Sequence, residues 1–169
     1  MSRRLKQAAL VFVLVFLAAQ LVRPERANPP TDPSRTINAH LGSSSGLAAV
    51  LDRACSDCHS NRTVWPWYTQ VAPISWLMAS AVHEGRKALN FSDWAAYSPE
   101  QQRMLLAVSC SDASDGRMPG AWTLLHPETR LSNQDIAIIC AAARQTEARA
   151  PGGASTTHPR AGGESSLVR

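Results

Sequence analysis

Charged side chains are scarce: Asp, Glu, Lys and Arg make up only 18% of the 169 residues. That is low for a chain solvated along its whole length. Phenylalanine and tyrosine are few, three and two, beside five tryptophans. No alternating apolar and polar run is long enough to read as a strand, so a sheet protein is excluded. A phosphate-cradling glycine loop and a Ser/His/Asp set are both missing, which removes the common hydrolase and nucleotide-binding classes. The net charge of +4 does not mark a nucleic-acid binder either. Residues 1–23 carry four bases and no acid, whereas residues 46–148 hold eight bases against ten acids. The basicity belongs to the ends of the chain, and no basic stripe interleaves with aromatics.

What is present divides the chain into four parts. Residues 1–23 place Arg3, Arg4 and Lys6 ahead of an apolar run from Ala8 to Val22, broken only by Gln20. This reads as an N-terminal transmembrane anchor, with a cleavable signal peptide as the rival. Bulky Leu17, two residues before Ala19, makes a poor cleavage pattern, so the uncleaved anchor is preferred. Positive charge ahead of the run keeps the N-terminus inside and sends the rest outward, to the periplasm or outer face in a bacterium. Residues 24–45 are Pro-rich and aperiodic, a tether. Residues 149–169 are rich in Gly, Ser and Pro with nothing to bury, and read as a disordered tail. Residues 46–148 are the folding unit.

Helical spacing dominates that unit. Leu47, Val50, Leu51, Ala54 and Cys58 share a face, with a serine at 43–45 as cap. Pro73 opens a second helix with the stripe Ile74, Leu77, Met78, Ala81, Val82 and Leu89. Ser98-Pro99-Glu100-Gln101 has the form of a capping box and starts a third. Ser132 with Asp135 starts a fourth, whose stripe is Ile136, Ile139, Cys140 and Ala143. The expected fold is all-α. Four short helices make a thin core, which suggests that something flat and large fills the centre.

Cys55-Ser56-Asp57-Cys58-His59 has the form C-x-x-C-H, the attachment sequence of a c-type haem. At spacings i, i+3 and i+4 both thiols and the imidazole leave a helix on one side. The thiols then add to the vinyl groups of the porphyrin, and His59 reaches the iron. A thioredoxin-like disulfide would need a βαβ setting, and a zinc site a second pair of ligands; neither follows here. For the opposite iron position, Met118 lies in the loop Asp115-Gly116-Arg117-Met118-Pro119-Gly120, where glycine and proline hold a side chain over a ring face. Met78 and Met104 fall on helical stripes and read as core. His83 reads as a surface histidine, and His126 as a turn residue or a partner for a haem propionate. His40 and His158 belong to the tether and tail. Trp65, Trp67 and Tyr68 either wall the porphyrin and donate to propionates or are plain core aromatics. Arg86 and Asn90 are further propionate candidates, or simply a solvated helix end.

The stretches CSDCHSNRTVWPWYTQVAPISWL, HEGRKALNFSDW and RMPGAWTLLHPETRLS resemble the small haem-binding domain family of membrane-anchored bacterial c-type cytochromes, over roughly residues 20–145. The resemblance implies one covalent haem c on a cytochrome-c-like helical fold. Ala141 stands where such proteins often have tryptophan, and Trp122 near where they commonly have tyrosine. Pro73 resembles the proline whose carbonyl holds the proximal histidine in class I cytochromes c. The resemblance also favours a bridge between Cys110 and Cys140, against a buried free thiol at Cys140.

The expectation is therefore a monohaem electron carrier at the outer face of the inner membrane, exchanging electrons with redox partner proteins. No nucleic acid and no small-molecule substrate is expected. A haem-based gas sensor or a peroxidase-like enzyme, with His83 or His126 as distal acid/base, remains the alternative.

Overall fold

A computed structural model describes residues 2–41 and 46–148. Among them every regular element is helical, as the periodicity requires. The principal helices are α1 (Arg3–Ala19), α2 (Ile37–Leu41), α3 (Leu47–Ala54), α4 (Ser56–His59), α5 (Ile74–Ala88), α6 (Pro99–Ser114) and α7 (Asn133–Ala148). Single 3-10 turns link them, notably Trp67–Gln70, Phe91–Ala96 and Gly120–Leu124. The serine cap expected at 43–45 and the tail at 149–169 lie outside the described residues.

The helix starts follow local chemistry. Ser98 caps α6: its side chain accepts from the Gln101 amide at 3.2 Å, while the Gln101 side chain accepts from the Ser98 amide at 2.8 Å. Ser132 and Asp135 repeat the reciprocal arrangement before α7, at 3.2 and 2.8 Å. On α5 the inward stripe is Ser75, Met78 and Val82, whereas Leu77 is 54% exposed. Of the expected stripe, Met78, Val82 and Leu89 are buried and Ile74 and Ala81 half-buried, so only Leu77 departs from it. Met104, read as core, is also exposed.

Two helix pairs make the body: α5 packs on α4, and α6 on α7. The bridge between the pairs is α3, which touches both α4 and α7. Cys110 in α6 and Cys140 in α7 are joined by a disulfide across a Cα separation of 4.8 Å. Trp94, wholly buried, packs with Leu47, Leu51, Leu106 and Ile139 in the core. A cleft lies between the two pairs, lined by Cys58 and Met78 from the first and by Leu105 and Ile139 from the second.

Two segments differ from expectation. The membrane-spanning helix is not found: among the described residues no helix is long and apolar enough to cross a membrane. The reason is length. At 1.5 Å per residue the 17 residues of α1 rise roughly 25 Å, short of a hydrocarbon core of about 30 Å. The end of the segment read as an anchor and the first part of the Pro-rich tether are bonded to the domain. Gln20 pairs with both backbone groups of Ala72 (2.9 and 3.4 Å), and the Trp76 indole donates to the Val22 carbonyl at 2.8 Å. Arg26 donates to the Thr69 carbonyl at 2.7 Å, Asn28 to that of Thr63 at 2.9 Å. Ile37 then enters the core, 3% exposed.

Candidate functional site

The cleft begins where α3 ends. Cys55 closes α3 and opens α4, with φ −127° and ψ −32°, so the C-x-x-C-H run sits on its own helical turn. The amides of Cys58 and His59 donate to the Cys55 carbonyl at 3.2 and 3.0 Å. Those two bonds keep the i, i+3, i+4 spacing, and Cys55, Cys58 and His59 all line the cleft. Opposite them, α6 contributes Leu105, Val108 and Asp112, and the following loop Met118 and Trp122. Met78 and Leu89 come from the α5 side.

Burial pushes the Cys55 thiol up to about 12, with the neighbouring Cys58 adding to the effect. Cys58 is pushed up to about 11, again mainly by burial and then by Asp57. Both therefore stay as uncharged thiols at neutral pH, and the two are not bridged to each other. Burial likewise holds His59 below its ordinary value, against its hydrogen bonds to the Leu89 and Gly85 backbone carbonyls and the charge of Asp112. A neutral imidazole is the form that ligates a metal. His59 Nδ1 donates to the Leu89 carbonyl at 3.1 Å, which leaves Nε2 for an iron.

That bond corrects one expectation. Pro73 does not hold the histidine; its carbonyl accepts the Trp76 and Leu77 amides at 3.1 and 3.3 Å and starts α5. Leu89, at the far end of α5, takes the position. Nor do Trp65 and Trp67 wall the cleft. Trp67 is 78% exposed, and Trp65 is half-buried away from the cleft with its indole N–H unpartnered. Tyr68 reaches the cleft indirectly, through its hydroxyl on His126 Nε2 at 3.1 Å. His126, 6% exposed, lines the cleft, whereas the His83 side chain is 77% exposed. Arg86 is a structural clamp: it donates to Ser60, Ala27, Asn28 and Thr63 at 2.7–2.8 Å. Asn90 is taken up by Asn61 and by the amide of Ser92, both at 2.9 Å.

Met118 stands at the cleft mouth, half exposed. Its loop is folded onto the end of α6. The amides of Arg117 and Met118 donate to the Asp112 carbonyl at 2.9 and 3.2 Å. Arg117 Nε meets the Asp112 carboxylate at 2.8 Å, and its Nη1 the Asp115 carboxylate at 2.7 Å. Met78 also lines the cleft, but from α5, against whose end the His59 ring is anchored.

The donor set fits a covalently held porphyrin. Two uncharged thiols and a neutral imidazole share one wall of a mainly apolar cleft with about 1110 Å³ of empty space, its open mouth included. Zinc is not supported by the donors: among the described residues no three His, Cys, Asp or Glu side chains converge for a metal ion. Searches among curated proteins and among solved structures give no match. The family model described as the Haem-binding domain matches residues 14–145, and the chain belongs to that haem-binding family.

Proposed function

We propose that this is a monohaem c-type cytochrome, with the haem held by thioethers to Cys55 and Cys58, and that it carries single electrons. The observation that carries the reading is the placement of Cys55, Cys58 and His59 on one wall of an apolar cleft whose mouth is occupied by Met118. When bound, the haem supplies a one-electron couple; the chain sets its potential through its ligands and their burial. His59 is oriented by Leu89, and Met118 is the thioether ligand that favours the reduced iron. Leu51, Leu105, Val108 and Ile139 keep water off the ring.

The domain works outside the cytoplasm, at the outer face of the inner membrane, and passes electrons to redox partner proteins. A disulfide between α6 and α7 suits an oxidising compartment. No residue of α1 is buried, and its apolar side chains serve either as a contact with the membrane or as an export signal.

One observation favours a second reading. His126, paired with Glu128, lines the same cleft, as a distal acid/base of a peroxidase-like enzyme or a gas sensor would. An optical spectrum of protein matured with the haem-attachment machinery decides between them. A six-coordinate, sulfur-ligated spectrum supports the carrier; an open position that binds carbon monoxide quickly supports the rival.

A further inference from the structure

His126 is the titratable cleft group that electron transfer by itself does not use. Its side chain is 8% exposed, and both ring nitrogens are engaged. Nδ1 faces the Glu128 carboxylate at 3.2 Å, and Nε2 the Tyr68 hydroxyl at 3.1 Å. A carboxylate only accepts, so Nδ1 carries a proton in either charge state. A hydroxyl both accepts and donates. Tyr68 therefore donates to Nε2 of the neutral ring and accepts from Nε2–H of the cation. Gaining or losing a proton at Nε2 costs His126 neither hydrogen bond.

The surroundings keep that arrangement fixed. The His126 amide donates to the Trp122 carbonyl at 2.9 Å, and the Thr129 hydroxyl donates to the His126 carbonyl at 2.7 Å. Burial, with the charges of Glu128 and Asp57, holds Tyr68 above its ordinary value, so the phenol keeps its proton. The Glu128 side chain is 58% exposed and opens a path to solvent.

We infer that His126 is a proton-binding site coupled to electron transfer: it takes up a proton from water at Nε2 when an external one-electron donor delivers an electron to the cleft, and returns it when the electron leaves. One electron and one proton enter together, so the charge of the cleft is unchanged. In an apolar cleft the removal of one positive charge makes room for another, because charges interact strongly there. The inference rests on the haem reading above. Charged and titratable groups approach from each side. Glu128 on the same turn favours the cation. Asp57 and His59 come from α4, and Asp112, paired with Arg117, from α6. Arg53 of α3, bound to the Glu128 and Arg130 carbonyls at 2.6 and 2.9 Å, opposes it.

The test is the midpoint potential of the full-length haem protein, followed by spectroelectrochemistry from pH 5 to 9. The wild-type potential should fall with rising pH, approaching about 59 mV per unit, the one-electron equivalent of a tenfold change. His126→Asn should flatten the slope. Glu128→Gln, at an exposed side chain that leaves the fold intact, should move the sloping window to lower pH, since the cation loses its carboxylate. The imidazole resonances of His126 should titrate at higher pH in reduced than in oxidised protein. A flat wild-type profile, or a slope that survives in His126→Asn (as titrating propionates would give), overturns the inference while the haem reading stands. If no reversible one-electron couple is found, both fall.

Discussion

A β-carbon on Gly85 would lie 2.5 Å from the carbonyl oxygen of Cys58. The neighbour is backbone, which cannot rotate away, so the absence of a side chain sets how closely α5 approaches the thiols. Gly85→Ala should force the two helices apart. Overpacking of this kind costs about 1–3 kcal/mol, and for a domain near 100 residues each kcal/mol lowers the melting temperature by roughly 4–8 °C. Haem incorporation should fall in parallel, because the displaced turn carries both thiols. Thermal melts and haem-to-protein ratios measure the two effects. Gly116→Ala is the contrast: nothing lies within 4 Å, and its φ of +67° imposes only local strain.

Covalent attachment is the second expectation. After denaturation and acid-acetone extraction the haem colour should remain with the polypeptide. Cys55→Ala combined with Cys58→Ala should give mostly haem-free, poorly folded protein, because a haem touching both of the helix pairs that line the cleft would stabilise the folded state. In haem-free protein that does fold, the wild-type thiols should react slowly with iodoacetamide at pH 8. Their ionisation is pushed up to about 12 and about 11, so the reactive thiolate is rare until the pH approaches those values. Denatured protein, with ordinary thiols, should react quickly. Equal rates would show that burial does not protect them.

The sequence makes some of this arrangement plain and hides the rest for identifiable reasons. Helix starts are written in side chains: Ser98 with Gln101, and Ser132 with Asp135, cap the helices their spacing indicates. The C-x-x-C-H wall is legible because three side chains at helical spacing must face one way. The partner of His59 is not, because a main-chain carbonyl has no residue signature; Leu89 accepts this bond where the resemblance pointed to Pro73. The strap from Gln20 to Ile37 is hidden for the same cause. Its bonds run mostly to carbonyls of Ala72, Thr69 and Thr63, and a single buried isoleucine leaves no period. His126 reads as a turn residue in Leu-His-Pro-Glu, and only the fold brings Tyr68, 58 residues away, to its ring.

The disulfide should carry much of the stability of the α6–α7 pair. With a sequence separation of 30, opening it frees a loop whose closure entropy is worth on the order of 3–4 kcal/mol. Cys110→Ala with Cys140→Ala should therefore lower the midpoint of urea unfolding and raise its slope somewhat, since the unlinked denatured chain exposes more surface. An unaltered midpoint would mean that packing between α6 and α7 suffices by itself.

Exposed apolar side chains on α1 make localisation testable. Leu10 through Leu17 are 39–71% exposed, an unbroken apolar surface that water does not tolerate well. The full chain should sediment with membranes, and replacing residues 2–19 by a cleavable export signal should give a soluble haem domain outside the cytoplasm. A mature form that already begins near residue 20 would identify α1 as a cleaved export signal.

Met118 decides between carrier and sensor, and its position depends on Arg117. Both loop amides return to the Asp112 carbonyl, and the Arg117 guanidinium ties the Asp112 and Asp115 carboxylates to the same turn. The pairs are solvent-exposed, so each is worth little alone, but together they hold a short loop over the cleft. A soft thioether favours ferrous over ferric iron. Met118→His should accordingly lower the potential, by a substantial part of the roughly 0.8 V that axial ligands span. Ferric wild-type protein should show the weak far-red band of sulfur on iron, and Met118→Ala should lose it. Carbon monoxide should bind the ferrous wild type slowly and the alanine variant readily. Arg117→Ala should fall between them: the band remains, its amplitude is reduced, and carbon monoxide binds faster because the loop opens more often. If Arg117→Ala matches the wild type, the ion pairs do not position the ligand. Should the wild type itself lack the band and bind carbon monoxide fast, Met118 is not a firm ligand, and the open cleft with His126 at its wall becomes the site of a sensor or a peroxidase.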